Sequence, residues 1–250
     1  MNFYPKHSFR LLRQLILILM ATLSLVATES VAHEHVILLH GMCRTKRSMQ
    51  SMEQFLVRAG FHVSNINYPS RSASIDQLSE NVIGQAVADC RREGASTIHF
   101  VTHSLGGILV RSYLARHQLP ELGRVVMLGP PNRGSEVVDR LHGLWLFQVL
   151  NGPAGSELGT GMDSVPNKLG AVKFCLGVIA GNRSWNWINS CLIAGRDDGK
   201  VSVERTKVEG MTDHIVISTT HPFIMKNRLV MQQTEKFLKT GRFDHQPFPR

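Results

Sequence analysis

A chain of 250 residues with 43% hydrophobic and 19% charged residues can bury a sizeable core, which excludes a disordered or collagen-like polymer and predicts one globular domain. The formal charge of +9 is spread over segments such as "RTKR", "RR" and "KNR", without a long basic run or interleaved aromatic residues. It reads as a solvated basic surface, so no nucleic-acid partner is expected; peripheral contact with anionic membrane lipid stays open.

In chain order, the first feature is a leader. Lys6, Arg10 and Arg13 precede an apolar run of thirteen residues, Leu15 to Ala27, and Ser30-Val31-Ala32 supplies small residues at the −3 and −1 positions of a cleavage site. A bilayer core needs about twenty apolar residues. Residues 1–32 are therefore read as a signal peptide and 33–250 as the folded domain, exported to the periplasm or secreted; an uncleaved membrane anchor is the alternative. Removing the leader takes away three basic residues and Glu29, leaving a charge of +7. An oxidising compartment permits disulfides among Cys43, Cys90, Cys175 and Cys191. Cys175 with Cys191 is the candidate pair and Cys90 reads as a buried helix residue. No C-x-x-C occurs, so no zinc or redox signature is present.

From His35 onward, short β-rich runs alternate with helical patterns. The strand "HVILL" (35–39) is followed by a helix over 47–58, and "FHVSNI" (61–66) by a helix over 75–92 that Ser74 and Gln77 would open with a capping box. "TIHFVT" (97–102) leads into a helix over 105–117, and "RVVML" (124–128) into a long interval. That interval, 130–189, starts with a helix over 136–150 carrying more apolar surface than a half-exposed helix needs. It is read as a cap-like insertion, with Leu144, Trp145 and Phe147 as candidate substrate-binding residues. "CLIAG" (191–195), "HIVIS" (214–218) and a helix over 222–239 complete the pattern. Continuous apolar strands alternating with helices predict an α/β fold, a doubly wound, mostly parallel sheet of about six strands.

The chemistry gathers at the ends of these strands. "VTHSLGG" places Ser104 between a strand and a helix, with Gly106 two residues later, the context that gives a G-x-S-x-G-like turn its meaning. Thr102 stands where that pattern has its first glycine. A nucleophilic serine needs a base, an acid to orient the base, and donors for the developing oxyanion. His221 follows the last strand and is the candidate base. Asp198, in "RDDGKVS", is the candidate acid, with Asp197 as substitute; an Asp-Gly turn pair would read the same way. The backbone N–H groups of Met42, after "LLHG", and of Leu105 are the candidate oxyanion hole, with Gly41 allowing close approach. His40 reads as a loop-ordering residue and His103 as packing. No H-E-x-x-H occurs, so neither a metal nor another cofactor is expected.

Together "LLHGM", "VTHSLGG", "MLGPPNRGS", "DDGKVS" and "HPF" resemble, in that order, the α/β-hydrolase superfamily, and the set is similar to bacterial lipases and esterases and to proteins like GPI inositol-deacylases. The resemblance runs from about His35 to Leu238. It implies a reduced α/β-hydrolase fold and a triad of Ser104, Asp198 and His221, with oxyanion amides on Met42 and Leu105. The implied activity is hydrolysis of carboxylic esters, of lipid or other hydrophobic acyl groups, through an acyl-enzyme. A thioesterase, an acyltransferase or a non-catalytic ligand-binding protein would use the same frame. In "GPPNRGS", Asn132 replaces the histidine of the lipases' Pro-His-x-Gly-Ser stretch and is assigned no chemistry.

Overall fold

The computed structural model describes residues 33–141, 145–184, 193 and 195–246. Six strands form one parallel sheet: β1 (Glu34–Leu39), β2 (His62–Ile66), β3 (Thr97–His103), β4 (Leu122–Leu128), β5 (Leu176–Gly181) and β6 (Asp213–Ile217), in the spatial order β2-β1-β3-β4-β5-β6. Successive side chains of a strand leave opposite faces. Ile37, Leu39, Ile98, Phe100, Val125 and Met127 therefore join one buried cluster, while Val36, Leu38, Val101, Val126 and Leu128 join the other. Helix α1 (Gln50–Arg58) contributes Met52 and Leu56 to the second layer. The helical stretch 75–92, which we label α2, and α3 (Leu105–Arg116) cover the first.

Ser74 opens α2 with the predicted capping box: its hydroxyl accepts from the Gln77 N–H, and the Gln77 side chain accepts from the Ser74 N–H. Ser79–Ile83 is a π-helical turn inside this helix. Cys90 is buried on it, and burial raises its thiol pKa. Cys175 is a free thiol, and its expected partner Cys191 lies outside the described residues.

One strand is displaced from its expected position. The described residues of "CLIAG", Ile193 and Gly195, are bends; the fifth strand is "LGVIAG", Leu176–Gly181, inside the stretch expected to be all insertion. Its glycines disguise it. A Cβ on Gly177 would sit 2.7 Å from the rings of Phe237 and Phe243, and one on Gly181 would sit 2.7 Å from the Thr219 carbonyl oxygen and 2.8 Å from the Asp198 Cβ. Strand glycines here mark close approach of neighbouring segments, whereas read locally they signal a loop. The insertion between β4 and β5 thus spans 129–175, and a second excursion, 182–212, leads to β6.

The described residues of the predicted helix over 136–150 are helical. Helix α4 covers Glu136–Leu141 and α5 covers Trp145–Ser156, with non-helical geometry at Gly152, just before Pro153. Val138, Ala154 and Leu158 join the same buried cluster as Ile37 and Leu105, so this segment packs directly on the core. The last helix, α6 (Arg228–Thr240), follows a 3-10 turn, His221–Lys226, and is capped by Asn227, whose Oδ1 accepts from Leu229 and Val230 N–H groups.

Two largely buried histidines set an acid limit on this fold. His99 Nδ1 accepts from the Arg124 N–H at 2.8 Å, and His214 Nε2 lies 3.1 Å from the Thr206 hydroxyl. Burial pushes both pKa values down to about 4. The unfolded chain, with histidine near the ordinary value of about 6.5, binds more protons than the native state between those limits. The contribution is therefore complete above about pH 6.5 and is lost as pH falls towards 4, by on the order of 2–3 kcal/mol per histidine. Urea midpoints measured from pH 7 to 4.5 should fall steeply across this window, and His99→Gln should flatten the fall; a pH-independent midpoint would contradict it.

Candidate active site

All strands are parallel, so their carboxyl ends share one edge of the sheet. The chain goes from β1 outward to β2 and returns across to β3, making the β1/β3 gap the switch point at which open α/β sheets hold ligands. Met42 follows β1 and Ser104 follows β3 at this gap. Both line a cavity of about 290 Å³ together with His221.

Ser104 turns the chain from β3 into α3 with φ 51° and ψ −119°. Only Cys43 and Ser104 among the described non-glycine residues have positive φ, and both line this cavity. Such a conformation costs on the order of 1–3 kcal/mol and persists only where surroundings enforce it. The Ser104 N–H donates to the Leu128 carbonyl at 2.9 Å, pinning the turn to β4. Three glycines make the space. A Cβ on Gly106 would lie 2.9 Å from the Leu39 carbonyl oxygen, and one on Gly41 would lie 2.6 Å from His103 Nδ1. The third resolves the departure at Thr102: a Cβ on Gly107 would lie 3.2 Å from the Thr102 hydroxyl, so the second glycine admits the larger residue. Gly106→Ala should destabilise the protein by roughly 1–3 kcal/mol, as overpacking against backbone does; a chemical-denaturation midpoint unchanged from the parent would refute the close approach.

His221 and Asp198 form a buried pair. His221 Nδ1 lies 2.7 Å from Asp198 Oδ2, and the residues are 6% and 1% exposed. Oδ1 of Asp198 accepts from the Lys200 N–H at 3.0 Å and the Val201 N–H at 2.9 Å, and the His221 N–H donates to the Asp198 carbonyl at 2.8 Å. The carboxylate therefore accepts from two backbone N–H groups on one oxygen and meets the imidazole with the other. Asp197 takes another role: its Oδ1 accepts from the Gly199 N–H at 2.7 Å within the turn. Gly129, with φ +55°, lets the pair pass over β4, since a Cβ there would lie 3.0 Å from Asp198 Oδ2 and 3.2 Å from His221 Nδ1. Sequence reasoning did not single out Gly129 or Gly181; the place of Gly129 directly after the predicted strand 124–128 was an available signal, whereas Gly181 ends the strand that was not recognised.

His103 packs against His221. Its Nε2 lies 3.2 Å from the His221 carbonyl oxygen, its ring centroid is 4.7 Å from that of His221, and its Nδ1 is buried without a partner. The carbonyl can only accept, so Nε2 carries the proton. Burial, then repulsion by His221, holds the His103 pKa well below the ordinary value. A neutral His103 supports the His221 backbone without competing for its proton. His40 orders the loop as predicted: its Nε2 accepts from the Tyr68 N–H at 3.3 Å, its Nδ1 lies 2.8 Å from the Gly41 carbonyl oxygen, and the Tyr68 hydroxyl donates to the His40 carbonyl at 2.6 Å.

Leu105 is the first residue of α3, where backbone N–H groups have no intrahelical acceptor. Met42 is part of the cavity wall. The rest of that wall comes from Pro131, Ser135, Val137, Val138, Asn151, Gly155 and Leu158 of the insertion, and from Arg44, Lys200 and Val201. Of the expected substrate-binding residues, Leu144 and the Phe147 side chain lie outside the described residues, and Trp145 is 73% exposed and is not part of the described wall. Sequence reasoning missed Val137, Val138 and Leu158, the apolar residues of α4 and the turn after α5 that do line it. Asn132 is structural: its Nδ2 donates to the Thr206 carbonyl, while its own carbonyl and Oδ1 accept from buried Arg111. Ser135, from the same "GPPNRGS" stretch, donates to the Lys200 carbonyl at 2.8 Å, tying the insertion to the loop that carries Asp198.

Known proteins share this frame. The profile of the palmitoyl protein thioesterase family matches residues 35–165, which is 131 of the 250 residues. No curated protein sequence matches the chain. Among solved structures, the mature form of the Bacillus licheniformis lipase BlEst2 superposes with a TM-score of 0.70 at 19% identity, over 85% of this chain and 95% of that one. The metagenomic carboxyl esterase MGS0156 gives 0.61 at 16% identity, over 78% of this chain and 66% of that one. Phospholipase PlaB from Legionella pneumophila gives 0.55 at 20% identity, over 70% of this chain and 45% of that one. At these identities what is shared is the fold, a single parallel sheet flanked by helices. With the profile spanning β1 to the insertion, the chain belongs to the palmitoyl protein thioesterase family within the α/β-hydrolase superfamily.

Proposed function

We propose that the protein is an exported serine hydrolase that cleaves acyl esters of hydrophobic acids through Ser104, His221 and Asp198. The observation that carries this reading is a serine held at positive φ in one cavity with His221, whose imidazole is paired with the buried Asp198 carboxylate. His221 Nε2 takes the proton of the Ser104 hydroxyl as Oγ attacks the ester carbonyl; the bond to the alcohol breaks and His221 returns the proton to the leaving oxygen. Asp198 keeps Nδ1 protonated and stabilises the imidazolium. The Met42 and Leu105 N–H groups face the developing oxyanion. Water, activated by the same histidine, then releases the acid from Ser104. No cofactor enters this sequence. The export assignment rests on the leader read in residues 1–32, which lie outside the described residues; among the described residues no helix is long and apolar enough to cross a membrane.

Val137, Val138, Leu158 and Met42 give the cavity an apolar side that suits an acyl chain. Family membership favours one second reading, a thioester as substrate, which the same triad attacks in the same way. The insertion, which supplies seven of the fifteen lining residues, is read as the cap. Release of p-nitrophenol from acyl esters of graded length, beside release of thiol from acyl thioesters of the same lengths, separates the two. Turnover rising with chain length is expected; no turnover of either series by folded protein would overturn the reading.

Arg44 and Lys200 are the cavity wall's two fixed cations. They favour substrates whose leaving group is anionic. Arg44→Gln with Lys200→Gln should lower kcat/KM for an acyl ester of an anionic alcohol by about tenfold, about 1.4 kcal/mol, and leave a neutral ester nearly unchanged; equal effects on both would contradict this.

A further inference from the structure

The amino end of the sheet, opposite the nucleophile, carries a cluster that acyl transfer does not use. β1 and β2 pair with His35 beside His62, so the two side chains leave the sheet on the same face. Their rings stack with centroids 4.2 Å apart and an interplanar angle of 7°. Glu93, which caps the end of α2, brings Oε2 to 3.7 Å from His35 Nδ1 and 3.4 Å from His62 Nε2. One ligand atom from each of the three residues lies within 4.8 Å of the other two.

The atom that points beyond a surface ion pair is His35 Nδ1. His35 is 1% exposed, and this nitrogen has no hydrogen-bond partner. Leaving a buried polar atom unpaired is costly, and a pairing of His62 with Glu93 alone would leave that cost in place. A cation held between the three residues uses the lone pair. His62 and Glu93 are 56% and 48% exposed at their side chains, so an ion can enter from solvent.

We propose that His35, His62 and Glu93 bind one divalent transition-metal ion, with zinc as the best match. Two imidazole nitrogens and a carboxylate are a donor set that zinc takes, with a water completing four-coordination, whereas magnesium and calcium call for more oxygen ligands. The bound ion would join β1, the edge strand β2 and the end of α2, which are separate in sequence. Its role is to hold the sheet edge; the nucleophile lies at the far end of β3. Sequence reading excluded a metal because no local ligand spacing is present, and these ligands are brought together only by strand pairing.

The test is calorimetric titration of untagged protein with Zn²⁺, with Co²⁺ absorption as a second readout of ligand geometry. One equivalent should bind, with a thermal midpoint raised in excess ion. His62→Ala and Glu93→Gln alter exposed side chains, and each should weaken binding by at least the roughly 10–100-fold that loss of an outer-shell partner causes. His35→Gln should do the same, and if it fails to fold the two surface variants still decide. No binding by the parent protein at about 100 μM ion, or parental affinity in both surface variants, would overturn the site.

Discussion

Ser104→Ala is expected to lower turnover of an acyl ester by on the order of 10⁶-fold while leaving the fold intact, the scale on which a serine nucleophile's removal acts in other hydrolases. Alanine removes the atom that forms the acyl-enzyme, and water must then attack the bound ester directly. The cavity and its oxyanion donors remain, so a residual rate above the uncatalysed one is expected. The positive φ of Ser104 is no better tolerated by alanine. Any loss of stability is therefore read separately, from the unfolding midpoint. Steady-state kinetics over the graded esters checks the result, and a variant retaining more than about one per cent of parental kcat would remove Ser104 from the nucleophile's role.

The second large effect is expected at Asp198. Asp198→Asn should reduce kcat by about 10⁴-fold, and Asp197→Asn by less than about tenfold. The hydrogen bonds around Asp198 fix the orientation of the substituted amide. Oδ1 accepts two backbone N–H groups, so in asparagine the carbonyl oxygen stays there and the NH₂ replaces Oδ2 beside His221 Nδ1. A donor in that place requires Nδ1 to accept. The proton then moves to Nε2, the atom that must take the Ser104 proton, and the base is held in the wrong tautomer. Asp197 has its Oδ1 on the Gly199 N–H, which the carbonyl oxygen of asparagine also accepts, whereas it is Asp198 that pairs with His221. Comparable losses in both variants would contradict the assignment.

What could be read from the sequence was whatever depends on short-range pattern. Apolar strand runs and helical spacing gave five of the six strand positions, and Ser74 with Gln77 gave a cap that forms as expected. Ser104 and His221 could be singled out because each sits at a strand-to-helix junction, and both line one cavity. Asp198 was preferred to Asp197 from the sequence with Asp197 kept as substitute, and in the structure it is Asp198 Oδ2 that meets His221 Nδ1 while Asp197 Oδ1 accepts from the Gly199 N–H. β5 was hidden because Gly177 and Gly181 answer to Phe237, Phe243, Thr219 and Asp198, residues at least 17 positions away. Val137, Val138 and Leu158 of the cavity wall were not picked out, and Trp145 was picked out but is 73% exposed, for a related reason: apolar residues on a helix pattern do not reveal which of them meets the core. The His35–His62–Glu93 cluster belongs to the same class, visible only once the parallel register is known.

The most direct test of the central claim is covalent trapping of the nucleophile. Folded protein treated with a fluorophosphonate, followed by intact-mass measurement and peptide sequencing, should gain one label per chain, placed on Ser104, and Asp198→Asn should label far more slowly. Label on a different residue, or none on folded protein, would contradict the account.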